Sequence, residues 1–117
     1  MNNNKYIARI KRATKLRKNL VNNNIRLVVH RTARHIYAQI ISANNKVLVT
    51  ASTLEKCHKK TLLYTGNIKS ATLIGQLIAI KAIKKGITKL TFDRSGYKFH
   101  GRIKSLAIAA RNNGLNF

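Results

Sequence analysis

The sequence predicts an α/β (α+β) fold: a mixed sheet of three to four strands with two packed helices, preceded by a basic helical extension. Three observations lead there. Between residues 25 and 51, runs rich in β-branched residues alternate apolar with polar positions. Two later segments carry an apolar stripe at helical spacing. The opening residues form a helix-like stretch dense in lysine and arginine, without an acid. A chain of 117 residues fits one small domain. The expected division is a basic extension over residues 1–24 and one α/β domain over 25–117.

From Lys5 to Val21 the apolar residues Tyr6, Ile10, Ala13, Leu16 and Leu20 fall on one helical face, with Lys11, Arg12, Lys15 and Lys18 opposite. Arg9 and Arg17 interrupt the apolar side, so this helix is not expected to be deeply buried. Asn22–Asn24 end it. Strands are expected at Ile25–His30, His35–Ile41 and Lys46–Ala51, with Asn44-Asn45 as a hairpin turn. The connection Arg31–Arg34 is short enough to require antiparallel neighbours. From Thr53 to Tyr64 the pattern is mixed, with a short helix as the reading. Asn67 is a candidate cap for a helix over Ile68–Lys85 whose stripe is Ala71, Ile74, Leu77, Ile78 and Ala82. Lys81, Lys84 and Lys85 suit its carbonyl end, and Gly86 stops it. Thr88–Phe92 reads as a strand, Asp93–Gly101 as a loop, and Arg102–Asn112 as a helix burying Ile103, Leu106, Ala107 and Ala110. The crossover should set the fourth strand parallel to a neighbour.

Charge narrows the function. The chain has 24 lysines and arginines against 2 acids, a formal net charge of +22. Like charge at that density works against the compact state, so a polyanion is the expected partner, and a free protein of marginal stability or partial disorder is expected. Nucleic acid, an anionic membrane surface and an acidic protein are the candidates. No stretch approaches the ~18 apolar residues that a spanning helix needs, and the amino terminus lacks the order of a signal peptide. A cytoplasmic location without membrane attachment is the expectation. The single cysteine, Cys57, forms no internal disulfide and fits a reducing compartment.

Catalysis has little to work with. Glu55 and Asp93 are the only carboxylates, whereas a two-metal nuclease gathers several. His30 and His35 lie across a predicted turn, and His58 and His100 are distant in sequence, so no metal or cofactor is expected. Metal-free cleavage by paired histidines would need two imidazoles flanking a phosphate, an arrangement the spacing does not favour. The expectation is a binding protein, neither an enzyme nor a small-molecule receptor.

The binding residues stand out more clearly. Lys5, Arg9, Lys11, Arg12, Lys15, Arg17, Lys18, Arg26, Arg31 and Arg34 form an acid-free polyanion-binding arm, since each neutralised phosphate releases a counterion. The segment His30-Arg31-Thr32-Ala33-Arg34-His35-Ile36-Tyr37 sets arginines for bidentate phosphate contacts beside rings able to stack on unpaired bases. Arg26 and His30 should share a sheet face with His35, Tyr37 and Gln39; Tyr37 is equally readable as a half-buried strand aromatic. In the loop from Asp93 to Arg102, Arg94, Lys98 and Arg102 supply charge, and Gly96 and Gly101 let backbone approach a ligand closely. Asp93 is expected to orient an arginine. Phe99 is readable as core.

Motifs in order over nearly the whole chain carry a resemblance. They are Arg12-Ala13-Thr14, the segment from His30 to Ile40, Ala51-Ser52-Thr53, Tyr64-Thr65-Gly66-Asn67, Phe92-Asp93-Arg94-Ser95-Gly96-Tyr97, His100-Gly101-Arg102 and the ending Gly114-Leu115-Asn116-Phe117. Together they resemble bacterial ribosomal protein eighteen of the large subunit. The resemblance implies a ribonuclease-H-like strand arrangement without nuclease activity. It implies binding to 5S rRNA and its attachment to 23S rRNA in the central protuberance, beside neighbouring large-subunit ribosomal proteins. It adds Tyr64, Asn67, Tyr97 and His100 to the expected RNA contacts. The chain departs from the family at Ala33, where proline is frequent, and at Lys59, Lys60, Lys81 and Lys84, in helices that usually carry acids.

Overall fold

The computed structural model describes residues 4–19, 25–54 and 66–117, and of residues 16–19 the backbone alone. Helix α1 (Asn4–Asn19) is followed by strands β1 (Arg26–Arg31), β2 (Ile36–Ile41) and β3 (Val47–Ser52). Then come helix α2 (Ile68–Lys84), the short strand β4 (Thr91–Asp93) and helix α3 (Gly101–Asn112). The order is the one read from the sequence. The region read as a short helix, Thr53–Tyr64, lies outside the described residues from residue 55 on.

Period-two alternation builds the sheet. Leu27 and Val29 of β1, Ile36, Ala38 and Ile40 of β2, and Val49 and Ala51 of β3 are buried on one face. The sheet runs β3-β2-β1-β4. β1 and β3 each pair antiparallel with β2, with His30 opposite Tyr37 and Gln39 opposite Thr50. β4 lies parallel to β1, Leu27 opposite Phe92, as a strand–helix–strand crossover requires. The β1–β2 turn is closed by Thr32, whose N–H donates to His35 O (2.9 Å) and whose hydroxyl accepts from His35 N (3.0 Å). In the β2–β3 hairpin, Asn45 takes the positive φ (65°) that asparagine tolerates better than most residues.

α2 and α3 cover the apolar face. Ala71, Ile74, Ile78 and Ala82 of α2 and Ile103, Leu106 and Ala110 of α3 join the strand residues in one core. Asn67 caps α2, its side-chain oxygen accepting from Ser70 N (2.9 Å) and satisfying one of the first-turn donors. The sequence stripe missed Gly75. An ideal Cβ there would stand 2.3 Å from Leu106 O and 2.9 Å from Ala109 Cβ, so only glycine lets α2 and α3 approach this closely.

The fourth strand corrects the sequence reading. Ordered pairing with β1 covers Thr91–Asp93 only. Residues 88–90 instead meet the chain end, with Asn116 N donating to Thr88 O (2.8 Å) and Leu90 N to Asn116 O (3.2 Å). Phe117 stacks on Phe92, with centroids 5.4 Å apart. Phe99, readable as core, meets Phe92 edge-on at 6.1 Å and remains 38% exposed.

α1 docks shallowly, as the arginines interrupting its apolar side led one to expect. Tyr6 and Ile10 of that side are exposed, as is Ile7, and Ala13 alone among its described side chains is buried. The docked edge is Arg9, Arg12 and Ala13. Arg9 Nη1 donates to Ser95 O (2.9 Å) and Arg12 Nε to Gly96 O (3.1 Å). Gly96 was expected to admit a ligand, but α1 takes that space: a Cβ would fall 2.4 Å from Arg9 O and 3.0 Å from Ala13 N, at a φ of +80°. Gly96→Ala therefore should displace α1, while the α2–α3–sheet core stays folded. Hydrogen exchange measured residue by residue should show lost protection in α1 alone; full protection there would contradict this docking.

Candidate nucleic-acid interface

The sheet face opposite the helices carries Arg26, Val28 and His30 from β1 and Tyr37 and Gln39 from β2, all at least partly solvent-accessible. This is the shared face that the strand pattern predicts. His30 packs against Tyr37 (centroids 5.7 Å) and His35 lies 6.4 Å from the same ring. The half-buried reading of Tyr37 describes its accessibility, and its ring still borders the open face. His35 Nδ1 lies 2.9 Å from the hydroxyl of buried Thr53, which fixes the ring's orientation.

Arg26 is tied down. Its Nη1 pairs with Asp93 Oδ2 at 3.0 Å, and the carboxylate is fully buried. Asp93 Oδ1 accepts from Ser95 N (2.9 Å). The carboxylate thus shapes the loop and orients an arginine, as expected, and a buried acid without that partner would be strongly destabilising.

Tyr97 holds the centre. It is 8% exposed, so its ring face is largely covered by protein, although it still lines a basic cleft. Its hydroxyl donates to Arg31 O (3.0 Å), accepts from Arg31 N (3.3 Å), and stands 3.2 Å from His30 Nδ1. The guanidinium carbons of Arg9 and Arg31 each lie 4.8 Å from the ring centroid. Attraction between cation and ring face is worth about 0.5–1 kcal/mol at accessible sites. Here it holds two cations against one ring without a carboxylate.

Two clefts border the place where α1 crosses this loop. The larger, about 560 Å³, is lined by Arg9 and Arg12 of α1, His30 and Arg31 of β1, and Lys98 and His100, among others. The smaller, about 460 Å³, is lined by Arg12, Lys15, Arg94, Gly96 and Lys98. Arg94 is anchored on Tyr97 O (3.0 Å). Lys11 and Arg34 are exposed on the surface. Arg102 reaches back to His35 O at 3.5 Å, bracing the β1–β2 turn. Asn67, an expected contact, is engaged as the α2 cap. Tyr64 lies outside the described residues, and so do the side chains of Arg17 and Lys18. Sequence reasoning missed Tyr6, which lines the larger cleft beside Lys5 of the basic arm. Tyr6 had been assigned to an apolar stripe; its place between two basic residues, Lys5 and Arg9, was the available signal.

Such a surface defines a polyanion-binding domain: planar guanidiniums held at fixed spacing around clefts whose described lining contains no acid. No group of three or more potential metal ligands occurs among the described residues. Comparison with known proteins identifies the kind. Residues 3–117 match the family described as ribosomal L18 of archaea, bacteria, mitochondria and chloroplast, and the chain belongs to that family. It is 52% identical to the large ribosomal subunit protein uL18 of Shewanella loihica, over 97% of this chain and 98% of the relative. It is 53% identical to the protein of the same name from Aeromonas salmonicida, with the same coverage.

Burial first, and then the Arg9 guanidinium, hold His30 below its ordinary 6.5. The unfolded chain therefore takes the proton first. The stability that neutral His30 contributes is intact above pH 6.5 and is lost as pH falls from there towards the folded value. An NMR titration of the imidazole should place the His30 midpoint below 6.5, and Arg9→Gln should raise it part of the way back. A midpoint indifferent to that substitution would show that Arg9 does not face the ring.

Proposed function

We propose that the protein binds 5S rRNA and helps attach it to 23S rRNA in the central protuberance of the large ribosomal subunit, in contact with neighbouring ribosomal proteins. Its family membership makes it a structural, non-catalytic constituent of the large subunit in the bacterial cytoplasm. The observation that carries the finer reading is the basic cleft. Arg9, Arg12, Arg31 and Lys98 converge there from α1, β1 and the loop before α3, a spacing of cations suited to a folded RNA backbone.

Arg31 and Arg34 border the β1–β2 turn, with Lys11 and Lys15 extending the surface along α1. Guanidiniums bind phosphate oxygens bidentately, and His35 and Tyr37 stand beside them for bases left unpaired. The division into a basic arm, residues 1–24, and a domain, residues 25–117, belongs to the same reading. In it the arm supplies phosphate contacts and the domain supplies shape.

Arg31→Ala or Arg34→Ala should weaken 5S rRNA binding by about 1.5–3 kcal/mol each if a charge-assisted hydrogen bond is lost. The slope of log affinity against log salt should drop by roughly one phosphate contact, about 0.7–0.9. Filter binding at several salt concentrations reads both quantities. Wild-type affinity and slope in both variants would remove the turn from the interface.

A further inference from the structure

Tyr6 is 63% exposed, yet its ring does not stand alone. The Arg9 guanidinium lies 5.5 Å from its centroid. Arg9 is itself fixed by Ser95 O at 2.9 Å and by the Tyr97 ring at 4.8 Å. A solvent-facing aromatic is thus braced by an arginine that cannot swing freely, at the rim of the larger basic cleft. A tyrosine has few rotamers to lose on binding, and this one is already oriented.

We propose that the cleft between α1, the end of β1 and the loop before α3 seats one unstacked nucleotide of the bound RNA, its base on the Tyr6 ring and its flanking phosphates on Arg31 and Lys98. The inference rests on the RNA-binding function proposed above and adds a nucleotide-sized subsite to it. Three observations select this occupant. The cleft measures about 560 Å³, within the range of about 300–1,000 Å³ typical of sites for small organic groups and generous for a lone phosphate. Its wall joins an aromatic face to several cations, the pairing that single-stranded nucleic acid requires because every base has a π-face and every linkage a charge. Tyr97, the other phenol ring in the wall, is 8% exposed and has Arg9 and Arg31 against its ring, and the imidazoles of His30 and His100 are smaller, leaving Tyr6 as the broadest stacking surface.

The test uses the full chain and intact 5S rRNA, with Tyr6→Phe, Tyr6→Leu, Lys98→Gln and Lys104→Gln compared across a salt series. Tyr6 is solvent-facing, so neither replacement disturbs the core. Tyr6→Phe keeps the ring and should bind within about twofold of wild type. Tyr6→Leu keeps the apolar bulk and loses the π-face; it should bind about tenfold more weakly, inside the range for one base–aromatic stack, with the salt slope unchanged. Lys98→Gln should reduce the slope by about one contact, whereas Lys104→Gln, exposed on α3 and outside the cleft lining, should leave it unaltered. Binding by Tyr6→Leu as tight as by Tyr6→Phe would overturn the nucleotide seat while RNA binding stood. Failure of the wild-type chain to bind 5S rRNA at all would strike the proposed function itself.

Discussion

With 24 lysines and arginines against two acids, this chain has to hold its cations in place largely without carboxylates. It does so with backbone oxygens and aromatic rings. Arg9, Arg12 and Arg94 donate to the carbonyls of Ser95, Gly96 and Tyr97, three consecutive residues of the loop between β4 and α3. Arg111 donates to Phe117 O and lies over the same residue's ring at 4.6 Å. These contacts fix geometry but cancel no charge. The guanidiniums remain full cations, oriented and close together, and the repulsion among them persists until an outside anion relieves it.

The same device guards the sheet. β3 is an edge strand, and exposed edges invite pairing with another chain. Lys81 Nζ donates to Thr50 O (3.0 Å) and Lys85 Nζ to Leu48 O (2.7 Å), so two cations from the end of α2 occupy carbonyls of that edge. At the other side of the sheet the chain end bridges Lys89 to Asn116. Lys81 and Lys85 thus have a structural use for their positive charge.

Much of the fold was legible because burial on one sheet face forces strict alternation. Ile36, Ala38 and Ile40 could be read straight off the sequence, as could the open-face placing of Arg26 and His30, the cap at Asn67 and the stop at Gly86. Close approaches were illegible: nothing local distinguishes Gly75, pressed against α3, or Gly96, pressed against α1, from loop or linker glycines. The docking edge of α1 was illegible for a related reason. Apolar periodicity assumes that helices dock through apolar side chains, and this one docks through Arg9, Arg12 and Ala13. Of the site, the arginines and their shared face were visible in the pattern. The burial of Tyr97 and the exposure of Tyr6 were not, since a tyrosine's ring serves equally as core filler and as platform.

The account turns on repulsion among oriented cations. The most direct measurement is the thermal unfolding midpoint of the isolated protein against sodium chloride at fixed pH. The screening length shrinks from roughly 30 Å at 0.01 M to about 10 Å at 0.1 M, so the midpoint should climb steadily over that interval. A midpoint that stayed level or fell as salt was added would mean that the cations do not oppose the fold, and the account would be wrong at its base.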